Sequence, residues 1–432
     1  MSKIMAFRGF LYDAGKVNGD YSKVCAPPYD VISERERDKL YEKSSYNIVQ
    51  LILGKFLPGD DSKGNNKYSR AGKLLREWIK EGVIRRDNDE SFYVYLQEYD
   101  AVGKKHRRAG FFGLMKIEET GENDILPHEH TLAQPKEDRM NLLKEVKGNL
   151  SPIFGLFNDE SGEVTEIIEK VISEDAPLID TEVDGVRHAL WRLSDKNRQI
   201  RISSAIKEKK VFIADGHHRY AVAKKYRDTA RTRRGYNNEA EYILMYLADI
   251  SSPENLTVMA THRVIKKMPV SDHKDVISRI DDYFDITYCD DLVCLMKKLG
   301  SASGKHVFGY LSGDKYIFLE MKNDKDVEKL VRDPKSPEWK QLDVSILHSG
   351  IFEYLLGMKD KEGNIFYTRN PDEAEAMVKT RGFDGAFLLN PTRVDQLKAV
   401  AENGDMMPQK STYFYPKLLT GLVINKFEEE QK

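Results

Sequence analysis

The sequence predicts a mixed α+β protein, and three observations support this class. Strand-like and helix-like segments alternate along most of the 432 residues, as in proteins that pack helices against a sheet. Hydrophobic residues make up 40% of the chain, enough to fill a core without disulfides or metal ions. No internal repeat or low-complexity tract interrupts the alternation. We expect two domains, 1–265 and 266–432, the second being a C-terminal α/β domain.

Hydrophobic periodicity and turn residues predict the elements of the first domain. Ser33 is a good N-cap for a polar helix over 33–43, and apolar residues on one face predict an amphipathic helix over 67–82. Aromatic and apolar runs over 91–99 and 108–117 predict a β-hairpin. The remaining predicted elements are helices over 136–146, 163–173 and 220–227 and strands over 211–214 and 242–249.

The same signals predict the elements of the second domain, which follows a linker at Met268-Pro269. We expect a helix over 272–283, a hairpin over 307–321 that turns at Ser312-Gly-Asp, and strand–helix units over 365–379 and 385–401. Near the end, the segment 410–417 is predicted to be a strand with Tyr413 and Tyr415 on one face and Phe414 on the other.

The composition excludes several classes of function. Lys and Arg number 68 against 70 Asp and Glu, so the basic excess of proteins that bind duplex nucleic acid is missing. Three scattered cysteines do not form a disulfide framework. No apolar run is long enough to cross a membrane, and the first residues do not form a secretion signal. We expect a cytoplasmic protein without membrane or nucleic-acid partners.

The strongest chemical signal is the segment Ile213–Tyr220, with the sequence Ile-Ala-Asp-Gly-His-His-Arg-Tyr. An apolar strand ends, a glycine turns the chain, and a helix begins with two histidines and an arginine in its first turn. The N–H groups of a first helical turn have no intrahelical partner, and the helix dipole is positive there. The segment therefore predicts an anion-binding turn in which Gly216 and Arg219 hold phosphate.

The other residues of this turn have several predicted roles. His217 and His218 can donate hydrogen bonds or move a proton near neutral pH. Asp215 can orient a histidine, hold Mg²⁺ or simply cap the helix. The alternative for the whole segment is a structural helix start. The chain lacks both the P-loop and the Gly-x-Gly-x-x-Gly motif, so neither of these motifs supports nucleotide binding.

The Asp215–Arg219 segment resembles the Asp-Gly-x-His-Arg strand–turn–helix motif of the ParB/sulfiredoxin-like superfamily, whose members bind nucleotides at that turn. The chain as a whole resembles a widespread prokaryotic family of unknown function. Five blocks spread over nearly the full length carry this resemblance: Ala26–Ile32, His128–Arg139, Asn149–Gly155, Asp215–Tyr220 and Met407–Lys417. The resemblance implies a ParB/sulfiredoxin-like nucleotide-binding core with insertions.

Among characterised proteins, nucleotide-dependent kinases of free serine resemble the chain chiefly at this turn. That resemblance implies a nucleotide phosphate at Asp215, His217, His218 and Arg219, with ATP or ADP and Mg²⁺ as cofactors. Such kinases also use a carboxylate as the catalytic base. Three carboxylates are candidates for the base here: Glu129, Asp30 and Glu34.

The block that begins His128-Glu-His-Thr is a second candidate region. Residues i and i+2 of an extended segment share a face, so His128 and His130 are predicted to contact substrate together, while Glu129 points away. The histidine pair lacks a third ligand, so no metal site is predicted. Arg139, downstream in this block, is a candidate phosphate ligand. The alternative is a polar contact between domains.

Three further segments carry candidate residues. Lys410, Ser411 and Thr412 can offer a charge and hydroxyls to phosphate, although a core strand is the alternative. The proline-fixed turn at 26–30 presents Tyr29 and Asp30 to substrate, or is only structural. Thr261-His-Arg263 is either a second cationic strand end or a solvated edge.

Together these features predict a nucleotide-dependent phosphotransferase acting on a small hydroxy compound, with free serine implied by the resemblance. One alternative is a phosphomonoesterase, such as a phosphoserine phosphatase, that uses His217 or His218 as acid or base. Another is a non-catalytic regulator that binds a nucleotide or a phosphorylated metabolite.

Overall fold

The structure is a computed structural model that describes residues 3–61, 64–101, 103–119, 122, 124–129, 133–233, 236, 238–251, 256–270, 272–358 and 363–427. The strands are β1 Ile4–Met5, β2 Phe10–Tyr12, β3 Ile84–Arg86, β4 Phe92–Ala101, β5 Lys104–Lys116, β6 Ile125–Leu126, β7 Gly148–Asn149, β8 Ile153–Phe157, β9 Ile179–Val183, β10 Val186–Leu193, β11 Val211–Asp215, β12 Tyr242–Asp249, β13 Thr257–Val258, β14 His262–Ile265, β15 Phe284–Cys289, β16 Val307–Ser312, β17 Lys315–Met321, β18 Ile365–Thr368, β19 Gly385–Leu388, β20 Phe414–Tyr415 and β21 Asn425–Lys426.

The helices complete the mixed α+β architecture, so the predicted fold class is confirmed. The α-helices are α1 Glu34–Lys43, α2 Val49–Ile52, α3 Lys67–Lys80, α4 Ala133–Val146, α5 Glu163–Glu174, α6 Lys196–Ile206, α7 His217–Arg231, α8 His273–Ile280, α9 Leu292–Ser301, α10 Val327–Leu330, α11 Pro337–Lys340, α12 Asp343–Ser345, α13 Pro371–Thr380 and α14 Val394–Glu402. A π-helix spans Ile346–Leu355. Among the described residues, no helix has the length and apolar character needed to span a membrane.

The chain divides into two compact units. The described residues of Met1–Pro127, Thr131–Thr257 and Pro416–Lys432 form the first unit, and the second comprises the described residues of His128–His130 and Val258–Tyr415. The division expected between 265 and 266 differs from this arrangement chiefly in the last segment, which returns to the first unit. The reason is that β21 pairs with β7, a strand far earlier in the sequence.

The first unit is built on a nine-stranded mixed sheet with the order β6-β11-β8-β12-β5-β4-β10-β9 and β1 beside β5. The pairs β11–β6 and β12–β8 are parallel, and the remaining pairs are antiparallel. One face carries an apolar core that includes Ile167, Ile202 and Tyr220, which come from helices α5, α6 and α7. Burial of this face holds α7, and thus the Asp-Gly-His-His-Arg turn, at the end of β11.

The second unit contains a six-stranded antiparallel sheet with the order β15-β17-β16-β19-β14-β18. Its two faces carry separate apolar cores. One core includes Ile351 and Phe352 of the π-helix, and the other includes Leu295 of α9 and Ala374 of α13.

Most predicted elements are confirmed, and three need correction. The 91–117 hairpin has longer strands, because β4 and β5 continue to a tight turn with Gly103 at φ +71°. The helix expected from Tyr220 already begins at His217. The strand expected over 410–417 is reduced to Phe414–Tyr415, because Lys410 adopts a left-handed backbone with φ +57° and breaks the extended conformation.

Candidate active site

The Asp215 turn has the predicted strand–glycine–helix geometry. Strand β11 ends at Asp215, Gly216 occupies the N-cap position with φ +97°, and α7 starts at His217. A Cβ added to Gly216 would lie 3.1 Å from the Cζ atom of Arg219. Only glycine therefore suits this position, both for its left-handed backbone and for the close approach of the guanidinium.

Asp215 is not the helix cap, because Gly216 holds that position and no side chain caps the helix. Its Oδ2 atom instead accepts a hydrogen bond of 2.6 Å from Nη2 of Arg219, and its Oδ1 atom accepts one from Nζ of Lys417. Nη1 of Arg219 also donates to the carbonyl oxygen of Pro152. The capping role considered for Asp215 is thus wrong, and the carboxylate is instead held between two cations.

Electrostatics fix the charge states at this turn. Burial alone would raise the pKa of the Asp215 carboxyl, but the positive charges of Lys417 and Arg219 hold it well below its usual range. Burial lowers the pKa of His217 to about 3, so its imidazole is neutral at pH 7. A proton-shuttle role near neutral pH therefore does not suit His217. His218 is half-buried.

A pocket lies beside the turn within the first unit. Tyr29, Arg139, Ser151 and Arg219 contribute polar atoms to its lining, together with apolar side chains of α4 and α7. Its water-accessible space is about 60 Å³. The described pocket therefore has room for a compact group such as a phosphate.

Arg139 is the second cation of this pocket. Its Cζ atom lies 3.8 Å from the ring centroid of Tyr29, and Nη1 donates a 2.9 Å hydrogen bond to the carbonyl oxygen of Ile52. Nε donates to Oδ2 of Asp138 at 2.9 Å. Burial raises the pKa of the Tyr29 phenol to about 12, so the ring remains neutral beneath the guanidinium. Stacking and hydrogen bonds together fix the orientation of Arg139.

Asp138 connects Arg139 to α3. Its Oδ1 atom accepts hydrogen bonds of 2.7 Å from Nζ of Lys67 and 2.8 Å from the hydroxyl of Tyr68. Burial would raise the pKa of Asp138, but Arg139 and Lys67 outweigh this effect and hold the pKa at about 2. Asp138 is therefore ionised at neutral pH and orients both cations.

The charged side chains around the pocket carry an excess of positive charge. Four cations and two carboxylates form the set, with side-chain exposures between 8% and 25%: Lys67, Arg139, Arg219, Lys417, Asp138 and Asp215. Asp30, which follows the pocket residue Tyr29, adds a third and exposed carboxylate, so the formal excess is one positive charge. Positive charge in a partly buried region is costly unless an anion compensates it, and this arrangement suits an anionic ligand group such as phosphate.

The second unit brings other predicted residues together. Nε2 of His128 lies 2.9 Å from Oγ1 of Thr412, and Oε1 of Glu129 accepts a 2.8 Å hydrogen bond from the backbone N–H of Lys410. Ser411 is buried, and its hydroxyl donates to the carbonyl oxygen of Pro408. The Ser411 hydroxyl thus makes a hydrogen bond within its own loop, whereas the Lys410 side chain is exposed.

Arg263 organises this loop and belongs to the Thr261-His-Arg263 segment, for which the sequence left two interpretations open. It is fully buried, and its Nη2 atom donates to the carbonyl oxygens of Gln409 and Lys410 at 3.3 and 3.1 Å. Its Nε atom lies 3.2 Å from Nε2 of His348. Burial lowers the pKa of Arg263 to about 10, so the guanidinium still carries its charge at neutral pH. The Thr261-His-Arg263 segment is therefore not a solvated edge.

The predicted site residues thus fall into two groups. The first unit holds Tyr29, Asp30, Arg139, Asp215, Gly216, His217, His218 and Arg219, and the second holds His128, Glu129, Lys410, Ser411 and Thr412. His130 lies outside the described residues. Lys417 and Lys67 were missed as site residues, although Lys417 lies within one of the blocks that carry the family resemblance.

Asp215 and Asp138 do not suit Mg²⁺. Both oxygens of Asp215 and both oxygens of Asp138 already accept hydrogen bonds from cationic side chains. Across the part of the chain that the structure describes, no cluster of three or more His, Cys, Asp or Glu side chains could hold a metal ion.

Several solved structures are similar to this chain at low sequence identity. Among solved structures, a free serine kinase in complex with AMP is 12% identical with a TM-score of 0.34, covering 70% of this chain and 86% of that chain. SbnI with a C-terminal truncation, from Staphylococcus aureus, is 11% identical with a TM-score of 0.36, covering 72% and 86%. A conserved hypothetical protein from Pyrococcus furiosus is 14% identical with a TM-score of 0.34, covering 71% and 92%.

No curated protein matches the sequence. The model of one family, described as a protein of unknown function (DUF1015), matches residues 4–345. This match contains four of the five blocks that carry the resemblance and most of the chain. The chain therefore belongs to the DUF1015 family of proteins of unknown function.

Proposed function

We propose that the pocket between Arg139 and Arg219 binds a phosphate group of a nucleotide, and that the protein is a nucleotide-dependent phosphotransferase acting on a small hydroxy compound. The observation that carries the proposal is the excess of buried positive charge around a pocket of phosphate size. Phosphate is a compact dianion, so its charge and size complement this pocket.

Both arginines retain hydrogen-bonding capacity. Arg219 uses one N–H of each terminal nitrogen for Asp215 and Pro152. A guanidinium carries more N–H donors than these bonds consume, and the same holds for Arg139. The protein contacts fix the plane of each guanidinium, and the remaining donors are available to phosphate oxygens.

Phosphoryl transfer requires positioning and charge neutralisation more than covalent catalysis. The fixed cations supply these two effects. His217, with its low pKa, and Asp215, held between two cations, are poor proton acceptors at neutral pH. We therefore assign the base to Asp30, which follows the pocket residue Tyr29, is exposed and makes no hydrogen bond or ion pair among the described residues.

A regulator that binds phosphate ligands without turnover is the second candidate. The same low basicity of Asp215 and His217 favours it, because a binding site needs no proton acceptor. A phosphomonoesterase that uses His217 as its acid is disfavoured, because a neutral imidazole has no proton of suitable acidity to give.

Binding is tested by calorimetry with ATP, ADP, AMP and phosphoserine, with and without Mg²⁺. Arg139→Met and Arg219→Met should each weaken binding roughly 10- to 150-fold, which is the loss of affinity expected when one hydrogen bond to a charged group is removed. Arg187→Met is the matched control, because Arg187 lies on β10, far along the strand order from β11, and pairs with Asp180 of β9 and Glu98 of β4. Unchanged affinity in folded Arg139→Met and Arg219→Met proteins would refute the site.

Turnover is tested by ³¹P NMR with ATP or ADP and a panel of hydroxy compounds. Free serine comes first, because the resemblance of the Asp215 turn implies it. Formation of phosphoserine supports the transferase, and phosphate release from phosphoserine without nucleotide supports the phosphomonoesterase. Binding without any turnover supports the regulator.

A further inference from the structure

Two cysteines of the second unit lie close together outside the candidate site. Cys289 is the last residue of β15, and Cys294 lies in the first turn of α9, where its N–H donates a 2.7 Å hydrogen bond to the capping oxygen Oδ1 of Asp291. Both side chains are partly exposed. The chain therefore presents two thiols on consecutive elements that are joined by only two residues.

The orientation of the two elements brings these thiols toward each other. Cys289 packs against the same apolar core as Leu292 and Leu295, so its side chain points to the face of the sheet that α9 covers. Strand β15 stands at the end of the sheet order, which leaves this position open to solvent. The Cys289 thiol donates a hydrogen bond to the Cys294 sulfur.

We propose that Cys289 and Cys294 form a reversible oxidation site that closes an intramolecular disulfide in response to peroxide. The thiolate of Cys294 attacks one peroxide oxygen, the O–O bond breaks, and a sulfenic acid and water form. The Cys289 sulfur then attacks the Cys294 sulfur, and the departing hydroxide leaves as water with the Cys289 proton. In total, two thiols are oxidised and one peroxide is reduced to two waters.

The order of these steps follows from the surroundings. Burial and the hydrogen bond to Cys294 raise the pKa of Cys289 to about 11, so Cys289 is almost wholly protonated at neutral pH and is assigned the second attack. The nearby Lys298 ammonium favours the thiolate of Cys289 that forms during that attack. Cys25 is buried, and burial raises its pKa to about 12, which makes it an internal reference.

The experiment treats the full chain with hydrogen peroxide, denatures it in N-ethylmaleimide and measures intact mass and peptide masses. We expect one labelled cysteine instead of three, the loss of two hydrogen atoms, a peptide that links Cys289 to Cys294, and full reversal by dithiothreitol. Cys25→Ser should still form the link. In Cys289→Ser, the sulfenic acid on Cys294 should persist and react with dimedone.

Three results would overturn the proposal. The first is retention of all three free thiols under conditions that oxidise a reference thiol. The second is a disulfide between two chains. The third is direct oxidation of Cys294 to sulfinic acid at equal rates in the wild type and in Cys289→Ser, because a resolving thiol must protect its partner.

Discussion

Lys417 donates a hydrogen bond to Oδ1 of Asp215, and this ion pair joins two residues that stand 202 positions apart in the sequence. Both side chains are largely buried, with exposures of 11% and 15%. Arg219 binds the second oxygen of the same carboxylate. The last segment of the first unit thus completes the charge arrangement at the turn.

Replacing Lys417 with Met should reduce the free energy of unfolding by about 1.5–3 kcal/mol, because a buried charge-assisted hydrogen bond is lost. Lys170→Met is the control, since Lys170 pairs with Glu166 on an exposed helix face, where water screens the pair and its contribution to stability is small. Urea unfolding measures both. In a double-mutant cycle, Asp215→Asn should remove most of the Lys417 effect, and additive losses would contradict the pairing.

Gly216→Ala should destabilise the protein more than Gly185→Ala. Both glycines have positive φ values, +97° and +76°, where an L-residue costs about 1–2 kcal/mol. A Cβ at Gly185 meets nothing within 4 Å, whereas at Gly216 it meets the guanidinium of Arg219. Thermal and urea unfolding of both variants give the comparison. The excess loss should shrink when Arg219 is also replaced by Ala, and equal losses would argue against the close approach.

Local sequence signals account for much of the fold. Ser33 and Glu36 form the capping box that starts α1, and the Ser312-Gly-Asp turn joins β16 to β17 as predicted. Such elements depend on neighbours in sequence, which periodicity and turn chemistry reveal. The strand–glycine–helix turn at Asp215 was also recognisable, because strand, glycine and cations follow one another directly.

The partners of that turn were not recognisable from the sequence. Nothing in the neighbouring sequence of Lys417 indicates that its side chain contacts Asp215. Likewise, the position of Lys67 in the first turn of α3 does not indicate that it donates a hydrogen bond to Asp138. Lys410 was expected in a strand, but the hydrogen bond of its N–H to Glu129 accompanies a left-handed backbone. Long-range contacts decide these positions, and no local pattern encodes them.

Stability should fall as the pH drops from 6.5 towards 3, and His217 contributes to this fall. Burial lowers the pKa of His217 from 6.5 to about 3, so the unfolded chain binds a proton in this range that the folded chain does not. Unfolding free energies at several pH values measure the slope. His217→Gln should have a shallower slope between pH 6.5 and 3 than the wild type. An identical slope would show that His217 is not kept neutral by burial.

His306 should have the opposite effect. Its Nδ1 atom lies 2.8 Å from Oδ1 of Asp343, and Nε2 lies 2.8 Å from Oε1 of Gln341. Burial opposes the charged form, but these two partners and the nearby Asp324 raise the pKa of His306 above 6.5, while Arg393 faces Asp343. The stabilisation is therefore complete below pH 6.5 and is lost as the pH rises through the folded pKa.

The variant His306→Gln isolates this contribution. Urea unfolding between pH 6 and 9 should show a smaller loss of stability with rising pH in the variant than in the wild type. Asp343→Asn should produce a similar flattening, because the imidazolium loses its anionic partner. A wild-type slope that is unchanged in both variants would contradict a raised pKa for His306.

The proposed base gives the final prediction. Asp30→Asn should lower kcat of the proposed phosphotransfer by about 10²–10⁴-fold, the usual contribution of a general base, while nucleotide affinity stays unchanged. Affinity should persist because Asp30 is exposed and contacts neither Arg139 nor Arg219 through any hydrogen bond or ion pair of the described residues. The matched control is Glu34→Gln, an exposed carboxylate in the first turn of α1, which should keep the wild-type rate. If Asp30→Asn retains full turnover and Glu34→Gln loses it, the base is Glu34, and the assignment to Asp30 is wrong.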